Sequence, residues 1–198
     1  MVVDRTRQTI AHHTFSDIVQ FIPTSDILVR NTTRVIRARL IGARPSGAPV
    51  EVLLLKPVTS SPDSGSPSRQ YEAMVRPGNK LKPGRTVNIA PGFDVTIERT
   101  TDRGTRIVSL HTERPVHEAI ERFGHVPLPP YITRSDSSVD AERYQTVYSN
   151  TIGSVAAPTA GLHFTESVLA DLTSKRVNIA DVILHIGAGT FKPVETER

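Results

Sequence analysis

The sequence predicts an α/β domain with a parallel βαβ core, into which a small antiparallel β-barrel is inserted. Towards the C-terminus, two short apolar runs open into loops of small residues at Ser154–Phe164 and Val182–Phe191, and one helix-length segment separates them. Between about Arg37 and His111, several short apolar runs are separated by proline and glycine turns. A strand, a helix and a second strand in succession favour parallel pairing, whereas evenly spaced short strands favour a small barrel or sandwich.

The N-terminal part of the chain alternates between strand and helix patterns. Residues 1–13 have the pattern of a strand and a turn. Thr14 is placed to cap a helix, whose apolar residues recur at helical spacing until Pro23 ends it. A short strand is predicted at Ile27–Val29. A half-buried strand is predicted at Val35–Ile41, where apolar residues alternate with arginines.

The barrel region contains one low-complexity run, Thr59–Arg69, which we expect to be a mobile hairpin loop. Changes in the pattern of predicted helices and strands divide the chain into three parts. Residues 1–36 begin the α/β domain, residues 37–113 form the inserted barrel, and residues 114–198 continue the α/β domain. The strands predicted in the barrel are Val50–Leu55, Tyr71–Val75, Thr86–Ile89, Val95–Arg99 and Ile107–His111.

After the barrel, the sequence predicts a helix at Arg114–Gly124, and Gly124 is expected to end it in the left-handed conformation. The prolines of His125–Ile132 remove backbone donors and favour extended backbone, so this run should be a stiff strap. A short helix is expected in the run that ends at Tyr148, with Tyr144, Val147 and Tyr148 facing inward.

The C-terminal βαβ unit carries the predicted site. Thr165 is placed to cap the crossover helix, and the branched run Ile179–Ile186 is typical of a strand covered on both faces. Parallel strands bring both small-residue loops to the same, carboxyl, edge of the sheet, where ligands of open α/β sheets bind. We therefore predict that Pro158–His163 and Gly187–Phe191 are two walls of one substrate pocket. Two strands do not complete a core, so we expect the remainder of the domain to be missing.

Composition narrows the function classes only slightly. The chain has 198 residues with 24 basic and 20 acidic side chains, a net charge of +4, which permits nucleic acid as a partner without arguing for it. It contains no cysteine, which excludes thiolate catalysis, Fe–S clusters, cysteine-ligated zinc and disulfides. The lack of cysteine, of a signal peptide and of a membrane-spanning apolar stretch indicates a cytoplasmic protein that does not bind membranes.

Two histidines, His163 and His185, lie beside predicted strand ends and next to glycines, and they are the candidates for proton transfer. The alternative for each is a structural hydrogen bond. Gly187-Ala188-Gly189 lacks the third glycine of a dinucleotide fingerprint, so it indicates either close approach of backbone amides to a ligand or only a tight strand exit. No ligand spacing for a metal is present, and we predict none.

Five motifs of the chain resemble those of the S-adenosylmethionine:tRNA ribosyltransferase-isomerase family, in the family's order and at its spacing, over essentially the whole chain. The family's fold, an α/β domain with an inserted β-barrel, agrees with the run of short predicted strands between the two α/β parts of this chain. The motifs are N-T-T-R-V-I-R-A-R-L (Asn31–Leu40), G-H-V-P-L-P-P-Y-I (Gly124–Ile132), R-Y-Q-T-V-Y (Arg143–Tyr148), V-A-A-P-T-A-G-L-H-F (Val155–Phe164) and L-H-I-G-A-G-T-F-K-P-V (Leu184–Val194).

The resemblance implies transfer of the ribosyl moiety of S-adenosylmethionine, a co-substrate, to the aminomethyl group of a deazaguanine at the tRNA wobble position. The expected products are epoxyqueuosine, adenine and methionine, and the expected partners are tRNA and S-adenosylmethionine, with the protein a monomer. We expect His163 or His185 to transfer protons, so alanine at His163 should abolish turnover. Arg34 and Arg39 are candidates for contact with tRNA phosphate or the methionine carboxylate. The expected pocket residues are Thr159, Ala160, Gly161, Gly187, Gly189 and Thr190.

Compared with that family, the chain is expected to lack a leading segment and the C-terminal half. This leaves a second hypothesis beside the enzyme. The chain would then be a non-catalytic fragment, at most a weak RNA- or nucleotide-binding module.

Overall fold

A computed structural model describes residues 1–58, 68–129 and 131–191. The helices in these ranges are α1 (Ile18–Phe21), α2 (Val116–Phe123), α3 (Ser138–Arg143) and α4 (Glu166–Ser174), with 3₁₀ turns at Phe15–Asp17, Thr159–His163 and Ala188–Phe191. The strands are β1 (Val2–Asp4), β2 (Thr9–Ala11), β3 (Ile27–Asn31), β4 (Thr33–Val35), β5 (Arg39–Ala43), β6 (Pro49–Pro57), β7 (Gln70–Arg76), β8 (Thr86–Ala90), β9 (Phe93–Thr100), β10 (Arg106–Thr112), β11 (Thr151–Ser154) and β12 (Asn178–Val182).

The strands β5 to β10 close into an antiparallel barrel in the order β10-β7-β6-β5-β8-β9. Alternate residues of these strands point inward, and Leu40, Leu54 and Phe93 are fully buried inside. Helix α2 adds its apolar face to the same core. The predicted insertion of a small antiparallel barrel is confirmed, and its strands lie between residues 39 and 112.

The α/β part is built on parallel pairs, as predicted. Strand β12 runs parallel to β3, and β11 runs parallel to β4. Only Thr32 separates β3 from β4, so the two strands form one extended segment. The first part of this segment pairs with β12 and the second part pairs with β11. The Thr32 amide donates to Val182 O (2.9 Å), and the Thr32 carbonyl accepts from the Thr151 amide (3.1 Å). Thus β11 and β12 do not pair with each other, which corrects the expected geometry of the βαβ unit.

Helix α4 is the crossover that connects β11 to β12. The predicted cap is confirmed, since the Val168 amide donates to Thr165 Oγ1 (3.3 Å). Val168 and Leu172 of α4 are buried against residues of α1 and β3. The opposite face of the sheet is uncovered, with Ile27 60% and Val29 58% exposed. In β12 no residue is fully buried, so the expectation that the run Ile179–Ile186 forms a strand covered on both faces is wrong.

Several predicted boundaries differ from the structure. The segment predicted as one strand at Val35–Ile41 is divided, because the chain turns at residues 36–38 from the parallel pairs into the barrel. Strand β12 ends at Val182, not at Ile186. Helix α3 ends at Arg143, and Val147 is 52% exposed instead of facing inward. Most of the predicted hairpin loop at Thr59–Arg69 lies outside the described residues.

Gly124 is extended, with φ −83° and ψ 163°, so the predicted left-handed conformation is wrong. A Cβ atom there would lie 2.5 Å from Ile120 O, and it would also overlap the Arg37 carbonyl. The glycine is needed for this close approach of two backbones. Directly after it, His125 and Arg39 exchange backbone hydrogen bonds of 2.8 and 3.2 Å, which attach the strap to the barrel.

Candidate functional site

The segments that follow β11 and β12 meet at the carboxyl ends of these strands. The Val155 amide donates to Ile186 O (2.9 Å), and the Ile186 amide donates to Ser154 Oγ (2.8 Å). These two bonds join the last residue of β11 and the residue after it to Ile186, four residues beyond the end of β12. The edge of the parallel pairs at which we expected a site therefore receives both segments.

A cavity of about 230 Å³ lies beside the first of these segments. Its first wall contains Pro158, Ala160 and Gly161, which belong to the predicted wall. Its second wall is formed by β3 and Tyr148, and the lining of this cavity does not include Gly187–Phe191. A common pocket for the two predicted walls therefore stays a prediction. The lining residues are Leu28, Val29, Arg30, Asn31, Tyr148, Pro158, Ala160, Gly161 and Phe164.

Tyr148 and Gly161 are complementary in shape at this cavity. A Cβ atom on Gly161 would overlap the Tyr148 hydroxyl and would lie 2.8 Å from the Thr146 methyl group. Only a residue without a side chain leaves this space to the phenol. The Tyr148 ring also meets Phe164 edge-on, with ring centroids 6.3 Å apart. The cavity thus has an aromatic wall whose position depends on a glycine.

Arg30 provides the charged group of the cavity. Its Nε donates to Asp181 Oδ1 (2.5 Å), and its Cζ lies 4.9 Å from the centre of the Tyr148 ring. The hydrogen bond from Arg30 lowers the pKa of Asp181, and that bond raises the pKa of Arg30. Burial raises the pKa of Tyr148, against a smaller opposing effect of the Arg30 charge. At neutral pH the site therefore holds an ion pair stacked on a neutral phenol.

Asn31 connects the cavity with the segment after β12. Its Nδ2 donates to Leu184 O (2.9 Å), and its Oδ1 accepts from the Leu184 amide (3.1 Å). The same Oδ1 accepts from the Thr33 amide (3.1 Å). A single side chain thereby fixes the backbone directly before His185.

His185 lies in a hydrogen-bonded cluster with Thr33 and Ser154. Its Nδ1 is 2.8 Å from Thr33 Oγ1, and Thr33 Oγ1 is 2.8 Å from Ser154 Oγ. The two hydroxyl-bearing residues are fully buried, whereas His185 is exposed. The ring rests on Gly153, where a Cβ atom would be 2.6 Å from Nε2 and 2.7 Å from Nδ1. Pairing with β4 is irregular between Ile152 and Ser154, so Gly153 is at a bulge, a common device beside functional sites.

The other histidine, His163, lies at the end of the 3₁₀ turn and is exposed. Its ring packs on Phe15 with centroids 5.3 Å apart. Thr159 begins the same turn and is also exposed. Both residues lie outside the set that lines the cavity.

The described residues of the second predicted wall, Gly187–Phe191, are more exposed to solvent than those of the first, Pro158–His163. Gly187 and Gly189 are exposed, and among the described residues a Cβ atom on either would have no neighbour within 4 Å. Thr190 is exposed as well, and its amide donates to Gly187 O (3.3 Å) within the turn.

The arginines of the first motif lie in different parts of the molecule. Arg34 on β4 is exposed and donates to Ser149 Oγ (3.3 Å). Arg39 on β5 is paired with Glu51 of the barrel (2.9 Å). Of the two, Arg34 is placed closer along the chain to the cavity strands and carries no carboxylate partner among the described residues.

Sequence reasoning did not single out several residues that the fold brings to this edge. They lie within or beside the five motifs. The signal that the sequence offered for them was a polar residue between two apolar runs. Several of their contacts join residues far apart in the chain, such as Asn31 with Leu184 and Thr33 with His185, which no local pattern reveals. Among the described residues, no three metal-binding side chains come together. The missed residues are Arg30, Asn31, Thr33, Gly153 and Ser154, whereas Tyr148 is predicted from the sequence as an inward-facing residue.

Comparisons with known proteins indicate the same family as the five sequence motifs. The sequence model of a family described as "Queuosine biosynthesis protein" matches residues 1–198. The S-adenosylmethionine:tRNA ribosyltransferase-isomerase of Thermosipho africanus is 44% identical over 197 residues, which cover 100% of this chain and 55% of that protein. The protein of the same name from Heliobacterium modesticaldum is 44% identical over 200 residues, with coverages of 100% and 56%. The chain spans about half the length of the curated relatives it matches.

Among solved structures, a crystal structure of an S-adenosylmethionine tRNA ribosyltransferase from Thermotoga maritima matches 93% of this chain and 49% of that chain. The sequence identity is 25% and the TM-score is 0.37. Within the described residues of the present chain, no helix has the length and apolar character needed to span a membrane.

Proposed function

The chain belongs to the queuosine biosynthesis protein family, and on this premise we propose that it forms part of an S-adenosylmethionine:tRNA ribosyltransferase-isomerase. The reaction transfers the ribosyl moiety of S-adenosylmethionine to the aminomethyl group of a deazaguanine at the tRNA wobble position, and isomerises it. The products are epoxyqueuosine in the tRNA, adenine and methionine. The observation that carries the proposal is the 44% identity to an enzyme of this name over the whole chain.

The cavity supports the proposal as a site for one part of S-adenosylmethionine. Its volume of about 230 Å³ is smaller than the roughly 300–1,000 Å³ typical of pockets that enclose a whole small molecule. Tyr148 and Phe164 provide apolar ring surface, and Arg30 adds a charge held in place by Asp181. These groups suit a flat, nitrogen-rich ring, so we assign the cavity to the adenine end.

His185 is our candidate for the proton transfer. The sulfonium makes the neighbouring ribose carbon acidic, and a base that takes this proton leaves the electron pair on that carbon. Departure of adenine then needs a proton, which the imidazolium can return. His185 lies beside Leu184, which Asn31 binds from the cavity wall. His163 stays the second candidate, because it belongs to the turn that forms the first wall.

The tRNA side of the reaction requires the wobble base to leave the anticodon stack. The exposed edge of the parallel pairs leaves room for such a base, and Arg34 is available there for a phosphate. Gly187, Gly189 and Thr190 lie on the open segment after His185, where their exposed backbone suits contact with a large substrate.

A second candidate function rests on the cavity and on the exposed Arg34, which suit the binding of a ligand without turnover. In this alternative, the chain binds S-adenosylmethionine or RNA without turnover. The two candidates differ in whether bound S-adenosylmethionine is cleaved.

The test is adenine release, measured by chromatography after mixing the protein with S-adenosylmethionine and tRNA that carries the precursor base. We expect adenine only when both substrates are present. His185→Ala should reduce the rate by about 10²–10⁴-fold, the usual contribution of a general base. His117→Ala, which removes an exposed imidazole from α2, is the matched control and should leave the rate unchanged.

Binding of S-adenosylmethionine without adenine release would favour the second candidate. If the protein neither binds S-adenosylmethionine nor releases adenine, both candidate functions are contradicted for this chain.

A further inference from the structure

The cluster around His185 joins three separate segments of the chain. Thr33 comes from β4, Ser154 ends β11, and His185 follows β12. Thr33 and Ser154 have no exposed surface, whereas the imidazole reaches the protein surface. Two buried hydroxyl groups thus form the inner side of an exposed ring, and their protons decide which ring nitrogen is protonated.

The direction of each hydrogen bond follows from the donors. The Ile186 backbone amide can only donate, and it donates to Ser154 Oγ (2.8 Å). Thr33 Oγ1 also donates to Ser154 Oγ (2.8 Å). A threonine hydroxyl has a single proton, so Thr33 must accept in its 2.8 Å contact with His185 Nδ1. Nδ1 therefore carries the proton of the neutral ring, and Nε2 carries the lone pair.

Two further contacts hold the ring in this orientation. The imidazole lies against Gly153, where a side chain would displace both ring nitrogens. Asn31 holds the preceding residue by two hydrogen bonds to the Leu184 backbone. A ring fixed by its neighbours loses little freedom when it acts, which is the condition for an effective base.

We propose that Thr33, supported by Ser154, is a positioning residue that fixes the Nδ1–H tautomer of His185 and thereby leaves Nε2 as the proton acceptor. One part of this inference rests on the proposed function: that the proton accepted by Nε2 comes from the ribose carbon beside the sulfonium. The tautomer itself is a property of the folded chain and requires no substrate.

The first experiment observes the tautomer directly. A long-range ¹H–¹⁵N correlation spectrum of ¹⁵N-histidine-labelled protein, recorded at about pH 8, above the ordinary histidine pKa of about 6.5, distinguishes the two nitrogens. His185→Gln identifies the signals of this residue among the seven histidines. We expect a protonated Nδ1 and an unprotonated Nε2. A protonated Nε2 in the unmodified protein would overturn the proposal.

Variants of Thr33 separate positioning from packing. Thr33→Val keeps the shape and removes the hydroxyl, and we expect the His185 signals to move towards the Nε2–H tautomer. Thr33→Ser keeps a hydroxyl and should retain the Nδ1–H signals. If Thr33→Val does not fold, the unmodified protein and Thr33→Ser still decide the question. An unchanged tautomer in folded Thr33→Val would contradict the role of Thr33.

Turnover tests the consequence separately. Adenine release should fall at least tenfold in Thr33→Val and be restored in Thr33→Ser, because a wrong tautomer disables a histidine base. A normal rate in His185→Ala would overturn the proton-transfer role in the proposed function. The observed tautomer would remain valid in that case, so the two failures can be told apart.

Discussion

At the scale of single residues, the cavity depends on side chains that occupy space left by a glycine. Tyr148 lies where a side chain on Gly161 would be, and its ring carries the Arg30 guanidinium on one face. An aromatic ring held in this way presents a flat apolar surface whose position is set by the backbone.

We predict that Tyr148→Ala weakens binding of S-adenosylmethionine by about 1–3 kcal/mol, the range for loss of one aromatic surface beneath a base. Tyr148→Phe keeps the ring and should bind nearly as well as the unmodified protein. Isothermal titration calorimetry measures both. Equal affinity for Tyr148→Ala and the unmodified protein would show that the ring is not part of the binding site.

The second prediction concerns Gly153. Gly153→Ala places a methyl group 2.6 Å from the original position of His185 Nε2, so the ring must move away from Thr33. We expect altered His185 ring signals and slower adenine release. Gly78→Ala is the matched control, because the nearest atom to its new Cβ would be Val75 O at an ordinary 3.7 Å. Undisturbed ring signals in Gly153→Ala would contradict the close packing of His185.

At the scale of elements, α4 sets the separation of β11 from β12, and its first turn is held by Thr165. We predict that Thr165→Ala lowers the free energy of unfolding by about 1 kcal/mol, since it removes the hydroxyl that accepts from Val168. Thr165→Ser should retain most of the stability. Equilibrium urea unfolding measures the difference, and equal midpoints for Ala and Ser would refute the capping role.

Local pattern predicted the elements better than their partners. The barrel strands follow the alternation of apolar residues, because one face of each is buried, and all five predicted runs lie within the observed strands. The division of β3 and β4 between two partners could not be predicted, since it depends on bonds such as that from Thr32 to Val182. For the same reason, the sequence identified His185 as a candidate but did not reveal that Thr33 lies beside it.

At the scale of the whole molecule, the cavity and the His185 cluster lie in the α/β part, and the strap is attached to the barrel by the backbone bonds between His125 and Arg39. Two carboxylates of the α/β part are held in ionised form. Hydrogen bonds from Arg134 and Ser137 lower the pKa of Asp140, and the hydrogen bond from Arg30 lowers that of Asp181. The first pair holds Arg134 against α3, and the second links β3 to β12.

We predict that the protein loses stability in acid. Each of these two carboxyl groups has a folded-state pKa below its ordinary value of 3.8. Their contribution is complete above that value and is lost as the pH falls through the lower folded-state pKa. Urea unfolding at a series of pH values should therefore show declining stability below about pH 4. Asp140→Asn should show a shallower decline, and an identical decline would exclude Asp140 as a cause.

The central claim is that the cavity and His185 belong to one site for S-adenosylmethionine, and chemical-shift mapping tests it most directly. S-adenosylmethionine is titrated into ¹⁵N-labelled protein, and the amide signals are followed. We expect the largest shifts to cluster at Arg30, Asn31, Tyr148, Gly161 and His185. Largest shifts confined to the barrel strands, or no shifts at saturating concentration, would contradict it.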